Sequence, residues 1–379
     1  MGRRGNREGT ICRRKDGRWC GAVTLGYDPK TGKPVRKFFY GKTRQEVAEK
    51  LAKLLPQVNA GLVSPERYTF GDWFALWLEY YKRPMLRKST CERYARFAQN
   101  HIFPSLGKML LERLRPEILQ RFFAEKEKEG LAPNTIKFIY VILHSSLEKA
   151  VELGYLPRNP ADCVSLPKRK QKEIRILSPE EMQRFLSCAK THRLFPAFLL
   201  LATTGMRRSE VLGLRWQDVN LEEGTVSVSQ VLVPLIQGVT FEEPKTKQSR
   251  RTIPLLPEVT EELKAWRKRW LAERMRLGPD WPETDLVFPS EVHTAILPRN
   301  FTRVFHAICR EAGIENFTIH GLRHSFASYL LAKGVHPKVV SEVLGHSSIT
   351  ITMDTYSKLI PGLKEMAMEK LRDLFKEVF

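Results

Sequence analysis

The chain has 379 residues, 42% of them hydrophobic, which is too long for one typical core and apolar enough for two or three folded domains. Its 63 lysines and arginines against 42 acids leave a net charge of +21, a surplus that points to a polyanionic partner, nucleic acid first. The apolar content excludes disorder throughout, no apolar run approaches the roughly 20 residues of a membrane span, and six scattered cysteines without a CxxC pair exclude a disulfide scaffold or zinc ribbon and suit a reducing cytoplasm.

The opening MGRRGNREGT is basic but lacks an apolar stretch behind it, so it does not read as a secretory signal. The first 59 residues carry 15 Lys/Arg against 5 Asp/Glu. Within them, GRWCGAVTLGYDPKTGKPVRKFFYGK alternates apolar and polar residues around the turn signal DPKTGK, which predicts a small hairpin-based, three-stranded sheet. KTRQEVAEKLAKLL then predicts a helix with Thr43 as N-cap and Glu46 three residues on. Residues 1–62 thus form a first domain, basic and aromatic, with Trp19, Phe38 and Phe39 expected in its minimal core.

Residues 67–166 read as a helical bundle. TFGDWFALWLEYYK places Phe70, Trp73, Phe74, Trp77 and Leu78 on one helical face, and STCERYARFAQNHIFPSL and RPEILQRFFAEKEKEG continue the helical pattern. APNTIKFIYVILHSSLEKAVELG starts at Pro133 and Asn134 and stops at Gly154. Residues 167–177 lie in a Pro-rich, basic stretch and read as a linker. Residues 178–379 form a mainly helical third domain, opened by Ser178 as N-cap and interrupted by strands from GTVSVSQ through KTKQSRRTIPL, joined by a turn. The fold class is multidomain, mainly α with small β elements. No internal repeat is apparent.

Four stretches of the third domain carry chemistry. In LLATTGMRRSEVLGLRWQDV, Arg207 restarts a helix after a Thr-Gly turn, with Glu210 three residues on to hold its guanidinium, a placement suited to a phosphate but equally to an exposed ion pair. In FTIHGLRHSFASYLLAKG, Thr318 caps a helix that puts His320, Arg323 and His324 on one face. A zinc site there would want Glu where Gly321 stands, and no third ligand is evident, so the box suits a charged oxygen better. In PKTKQSRRTIPL, Lys245 and Lys247 lie just before or within a hairpin turn, where a lysine can deliver a proton or simply be solvated. In LGHSSITITMDTYSKL, His346 follows a helix stop at Leu344-Gly345, and Tyr356 lies ten residues on. A phenol of pKa near 10 attacks only if cations stabilise its anion.

The order Arg207, Lys245, His320-x-x-Arg323, His346, Tyr356 resembles the tyrosine recombinase, or phage integrase, family. TTGMRRSEVLGLRW, PKTKQSRRTIPL, TIHGLRHSFAS and LGHSSITITMDTY carry the likeness, most specifically over residues 200–360 and least over 1–60. The resemblance implies that Tyr356 attacks the scissile phosphate, giving a 3′-phosphotyrosyl link and a 5′-hydroxyl. Arg207 and Arg323 would clamp its oxygens, His346 would hydrogen-bond it, and His320 would exchange a proton at the tyrosine. Lys245, or alternatively Lys247, would protonate the leaving 5′-oxygen, with Glu210 in support. A covalent phosphodiester conserves bond energy, so neither cofactor nor metal is implied.

By the same resemblance, residues 1–62 are an arm-type and 67–166 a core-site DNA-binding domain, both on double-stranded DNA. The candidate DNA contacts are Arg13, Arg14, Lys15, Arg18, Lys37, Lys42, Lys88, Lys247 and Arg250. The family further implies a homotetramer on DNA, a monomer or weak oligomer without it, accessory DNA-bending or directionality proteins, and work at the nucleoid of a bacterial cytoplasm. The tail LKEMAMEKLRDLFKEV places Leu363, Ala367, Leu371, Leu374 and Val378 on one face, a helix to be passed to a neighbouring protomer or docked on its own domain. The expected activity is integration and excision of a phage or other mobile element. The alternatives are a dimer resolvase, more distantly a type IB topoisomerase, and an inactive DNA-binding regulator on the same scaffold.

Overall fold

The computed structural model describes residues 9–27, 34–59, 68–167, 174–282 and 284–356. They fall into two units, Met1–Gln171 and Lys172–Phe379, mostly helical with small antiparallel sheets.

The first unit opens with strands β1 (Thr10–Arg13), β2 (Trp19–Tyr27) and β3 (Pro34–Gly41), an antiparallel sheet in sequential order. Helix α1 (Arg44–Asn59) packs on one face, burying Val47 and Leu51 against Val23. Gly21 permits that approach, since a Cβ there would come within 2.6 Å of Val47. Thr43 Oγ1 caps α1 by accepting from Glu46 N at 3.2 Å, while the Glu46 carboxylate reaches back to accept from Lys42 N at 2.8 Å. Phe38 corrects the expected core: it is 53% exposed, whereas Phe39 packs inward and Trp19 is half-buried. Neighbouring strand residues must face opposite sides, and among the described residues only the α1 side is covered.

The bundle follows. Helix α2 (Phe70–Leu76) runs into a π-helical stretch Trp77–Lys82, and α3 (Lys88–Phe97) into another, Ala98–Gly107. Helices α4 (Pro116–Lys128) and α5 (Pro133–Glu152) each carry proline in the first turn, where its missing N–H costs nothing. The face read from the sequence is buried, Phe70, Trp73, Phe74, Trp77 and Leu78 included, and Trp73 Nε1 donates to Ser146 O at 2.9 Å.

In the second unit, α6 (Pro179–Ala189) starts at Ser178, whose hydroxyl and Glu181 form a capping box. The apolar α7 (Phe195–Thr204) is buried along most of its length, with Phe198 stacked on Phe301. After the short α8 (Arg208–Leu212) come β4 (Val219–Asn220) and β5 (Thr225–Ser227), a separate hairpin of β6 (Val231–Pro234) and β7 (Val239–Glu242), and then β8 (Thr252–Pro254). The sheet order β4-β5-β8 means that the strands expected to be joined by one turn instead enclose a second hairpin. Helices α9 (Pro257–Leu277), α10 (Pro298–Glu311), α11 (Ile319–Ala332), α12 (Pro337–Leu344) and α13 (Ile349–Tyr356) complete the described part of the unit. The chain before α6 is anchored on α11, where Leu177 N donates to Ser325 Oγ and Tyr329 Oη donates to Leu177 O, both at 2.9 Å. The expected C-terminal helix, with Leu363, Ala367, Leu371, Leu374 and Val378, lies outside the described residues.

Candidate active site

Arg207 occupies the N-cap of α8, one place earlier than the first-turn position read from the sequence. Its N–H donates to Glu210 Oε2 at 2.8 Å and its Nη1 to Oε1 at 2.7 Å, so the carboxylate grips backbone and guanidinium together. Glu210 is 2% exposed and has a second cation, Arg251, whose Nη2 reaches Oε2 at 2.9 Å and whose Nη1 reaches Oε1 at 3.2 Å. Burial alone would raise the Glu210 carboxyl, but the hydrogen bond and charge of Arg251, followed by Arg207, hold it below its ordinary value. Arg208, beside Arg207, turns away and donates to Thr302 Oγ1 at 2.6 Å on α10, a packing role.

Arg323 lies on α11 with 2% exposure. A guanidinium so buried costs several kcal/mol unless hydrogen-bonded, and it donates to Gly205 O at 2.8 Å and Leu344 O at 2.7 Å. Those carbonyls close two helices, α7 and α12, which end on glycines in the left-handed conformation, Gly205 (φ +62°) and Gly345 (φ +64°). Gly345 O also accepts from Arg207 Nη2 at 3.3 Å. Two helix C-termini, carrying partial negative charge, therefore aim both arginine heads.

The imidazoles meet this cluster from α11 and from the turn after α12. His320 and His324 pack ring to ring, centroids 4.7 Å apart. Burial first, then the neighbouring His324, Arg323 and Arg207, push His320 down to about 4; burial and Arg323 do the same to His324. His320 is the most solvent-open of the three rings, and water screens part of that repulsion. His346 is also pushed to about 4, by burial and then by Arg323, Arg207, His320 and Arg251. All three are neutral near pH 7. His346 Nδ1 shares a 2.8 Å hydrogen bond with Oγ1 of the fully buried Thr352. Arg207, Glu210, His320, Arg323 and His346 thus lie together, joined by Arg251 and Thr352, which sequence reasoning missed.

The phage integrase family matches residues 175–360, and its N-terminal SAM-like domain matches residues 69–126. A "Tyrosine recombinase XerC-like" protein of Caldanaerobacter subterraneus is 34% identical over 93% of this chain and 95% of its own length. The chain belongs to the phage integrase family. It is a tyrosine recombinase, an enzyme that cleaves and rejoins DNA at specific sites. Two solved structures share the fold. The Tn1549 transposon integrase in complex with transposon right end DNA has a TM-score of 0.69 and 21% identity over 80% of this chain and 99% of that one. The lambda integrase tetramer bound to a Holliday junction has a TM-score of 0.59 and 19% identity over 90% of this chain and 96% of that one.

Lys245 is exposed on the connection from β7 to β8, not at a hairpin tip, since the β6–β7 turn lies at Pro234–Val239. The side chains of Lys247 and Tyr356 lie outside the described ones; the backbone of Tyr356 closes α13. Arg13, Arg14, Lys15, Arg18, Lys37 and Lys42 are all exposed around the N-terminal sheet, with Arg14 over the Tyr40 ring at 5.2 Å. Lys88 is exposed at the start of α3, and Arg250 is exposed and ion-paired with Glu243.

Proposed function

We propose that this recombinase integrates and excises a mobile DNA element, with Tyr356 as its nucleophile. The observation that carries this reading is the convergence of Arg207, Arg323, His320 and His346 about the Gly205 and Gly345 turns, just ahead of the short helix that Tyr356 closes. In the proposed step the phenol oxygen bonds to phosphorus as the bond to the 5′-oxygen breaks. His320, neutral and able to accept, takes the phenol proton, and Lys245, or Lys247, gives one to the leaving oxygen. Arg207 and Arg323 hold the non-bridging oxygens; losing either removes about 2.7–4 kcal/mol of transition-state stabilisation, the scale of one oxyanion-hole donor. On a nicked suicide DNA substrate, wild type forms a covalent protein–DNA adduct and Tyr356→Phe forms none. An adduct with Tyr356→Phe, or none with wild type on cognate DNA, refutes the assignment.

The same proposal divides the chain into an arm-type DNA-binding domain (1–62), a core-site domain (67–166) and a catalytic domain (178–379). The exposed basic side chains and the open aromatic face of the N-terminal sheet support DNA contact there. Assembly is a tetramer on DNA, supported by the likeness to the lambda integrase tetramer, with exchange of the C-terminal helix between protomers. The setting is a bacterial cytoplasm and its nucleoid, with DNA-bending or directionality proteins as accessories. Dimer resolution is the second reading, favoured by the name of the Caldanaerobacter relative. Recombination requiring distal arm sites separates the two: Arg14→Ala with Lys37→Ala weakens binding to such sites in an integrase and has none to affect in a resolvase.

A further inference from the structure

Arg251 stands at a junction of three elements. Its Nε donates to Val343 O at 2.5 Å in α12, its Nη1 to Ser249 O at 3.1 Å in the turn before β8, and both Nη atoms to Glu210 in α8. Its side chain is 7% exposed. Gly345 is shaped around it: a Cβ there would lie 3.0 Å from Arg251 Nη1 and 2.9 Å from Gln248 O. We propose that Arg251 is a positioning residue for strand cleavage, fixing Arg207 through Glu210 and the His346 turn through the end of α12. The inference rests on reading Arg207 and His346 as phosphate-binding groups.

The electrostatics give this junction a task beyond holding shape. Glu210 bound to Arg207 alone would form a neutral pair, and an anionic phosphate gains little from a neutral pair. With Arg251 sharing the carboxylate, the triple carries one net positive charge at the site. Arg251 also keeps Glu210 ionised against its burial. The charged and titratable groups facing Glu210 among the described residues are Arg207 at its own helix start, Arg251 from the β8 side and His320 from α11. Without Arg251 the buried carboxyl takes up a proton more readily, loosens Arg207, and makes cleavage depend on pH where wild type does not.

The test is single-turnover adduct formation by the full chain at saturating protein on the nicked substrate, run from pH 6 to 9. Arg251→Met is expected to slow cleavage about 10- to 100-fold at pH 7, the scale for losing groups that orient a site, with the rate recovering as pH rises. Arg251→Lys is expected to restore most of the rate and the flat profile, because it returns the charge. Adduct formation by Arg251→Met at the wild-type rate overturns the role, as does a loss that follows the unfolded fraction, is flat with pH and is not rescued by lysine. If wild type itself forms no adduct, the reading of the site fails and the role of Arg251 with it; an active wild type confines any failure to Arg251.

Discussion

Thr352 is uncharged and fully buried, yet its hydroxyl is the partner of His346 Nδ1. When that hydroxyl donates, the neutral ring carries its proton on Nε2, the nitrogen that the role proposed for His346 needs as a donor to a phosphate oxygen. Thr352→Val keeps the shape and removes the partner, at about 1–2 kcal/mol, which is roughly a five- to thirtyfold slower adduct formation with little change in melting temperature. A wild-type rate in that variant would show that the tautomer is set elsewhere. The contrast with Arg207 and Glu210 explains what a sequence discloses at this scale. Residues three apart at a helix start meet by geometry, so their pairing is readable. Arg251 lies 41 residues from Glu210, and only strand parity hinted at it: it shares a face with the buried Ile253, while Arg250 faces out to Glu243. Thr352 follows His346 across a turn with no period to mark it.

The element scale was legible where caps and periodicity speak locally. Ser178, Thr318 and Pro133 marked helix starts, and Leu344-Gly345 marked a stop. The β region was only half legible, because β5 pairs with β8 across an intervening hairpin and non-local pairing leaves no mark in a short window. The glycine stops do more than end helices, since their left-handed turns present the carbonyls that hold Arg323 and Arg207. Gly345→Ala adds a left-handed strain of about 1–2 kcal/mol and a Cβ within 2.9 Å of the Gln248 carbonyl, a backbone atom that cannot swing aside. The expected result is a melting temperature lowered by several degrees and adduct formation reduced beyond the loss of folded protein. Normal cleavage by a fully folded Gly345→Ala would mean that the turn does not aim the arginines.

At the scale of the whole molecule, a net charge of +21 makes protonation costly, and the fold adds to that cost. His320, His324 and His346 have folded values of about 4 against an ordinary 6.5, so the folded chain binds fewer protons than the unfolded one between those limits. Stability therefore rises with pH through this window and is lost as pH falls from about 6.5 toward 4, with the lowered Glu210 carboxyl adding to the loss at the acid end. Salt separates the two sources. Added salt screens repulsion among exposed charges, that at His320 in part, but acts less on the half-buried His324 and His346 beside Arg323. Urea midpoints for the second unit should stay nearly level from pH 7.5 to about 6.5 and fall from there to pH 5, and raising salt from 0.1 to 0.5 M, roughly halving the screening length, should recover only part of the loss. A midpoint that stays level across this range, or one that salt restores in full, would mean that the three rings are not held neutral by burial and the arginines beside them.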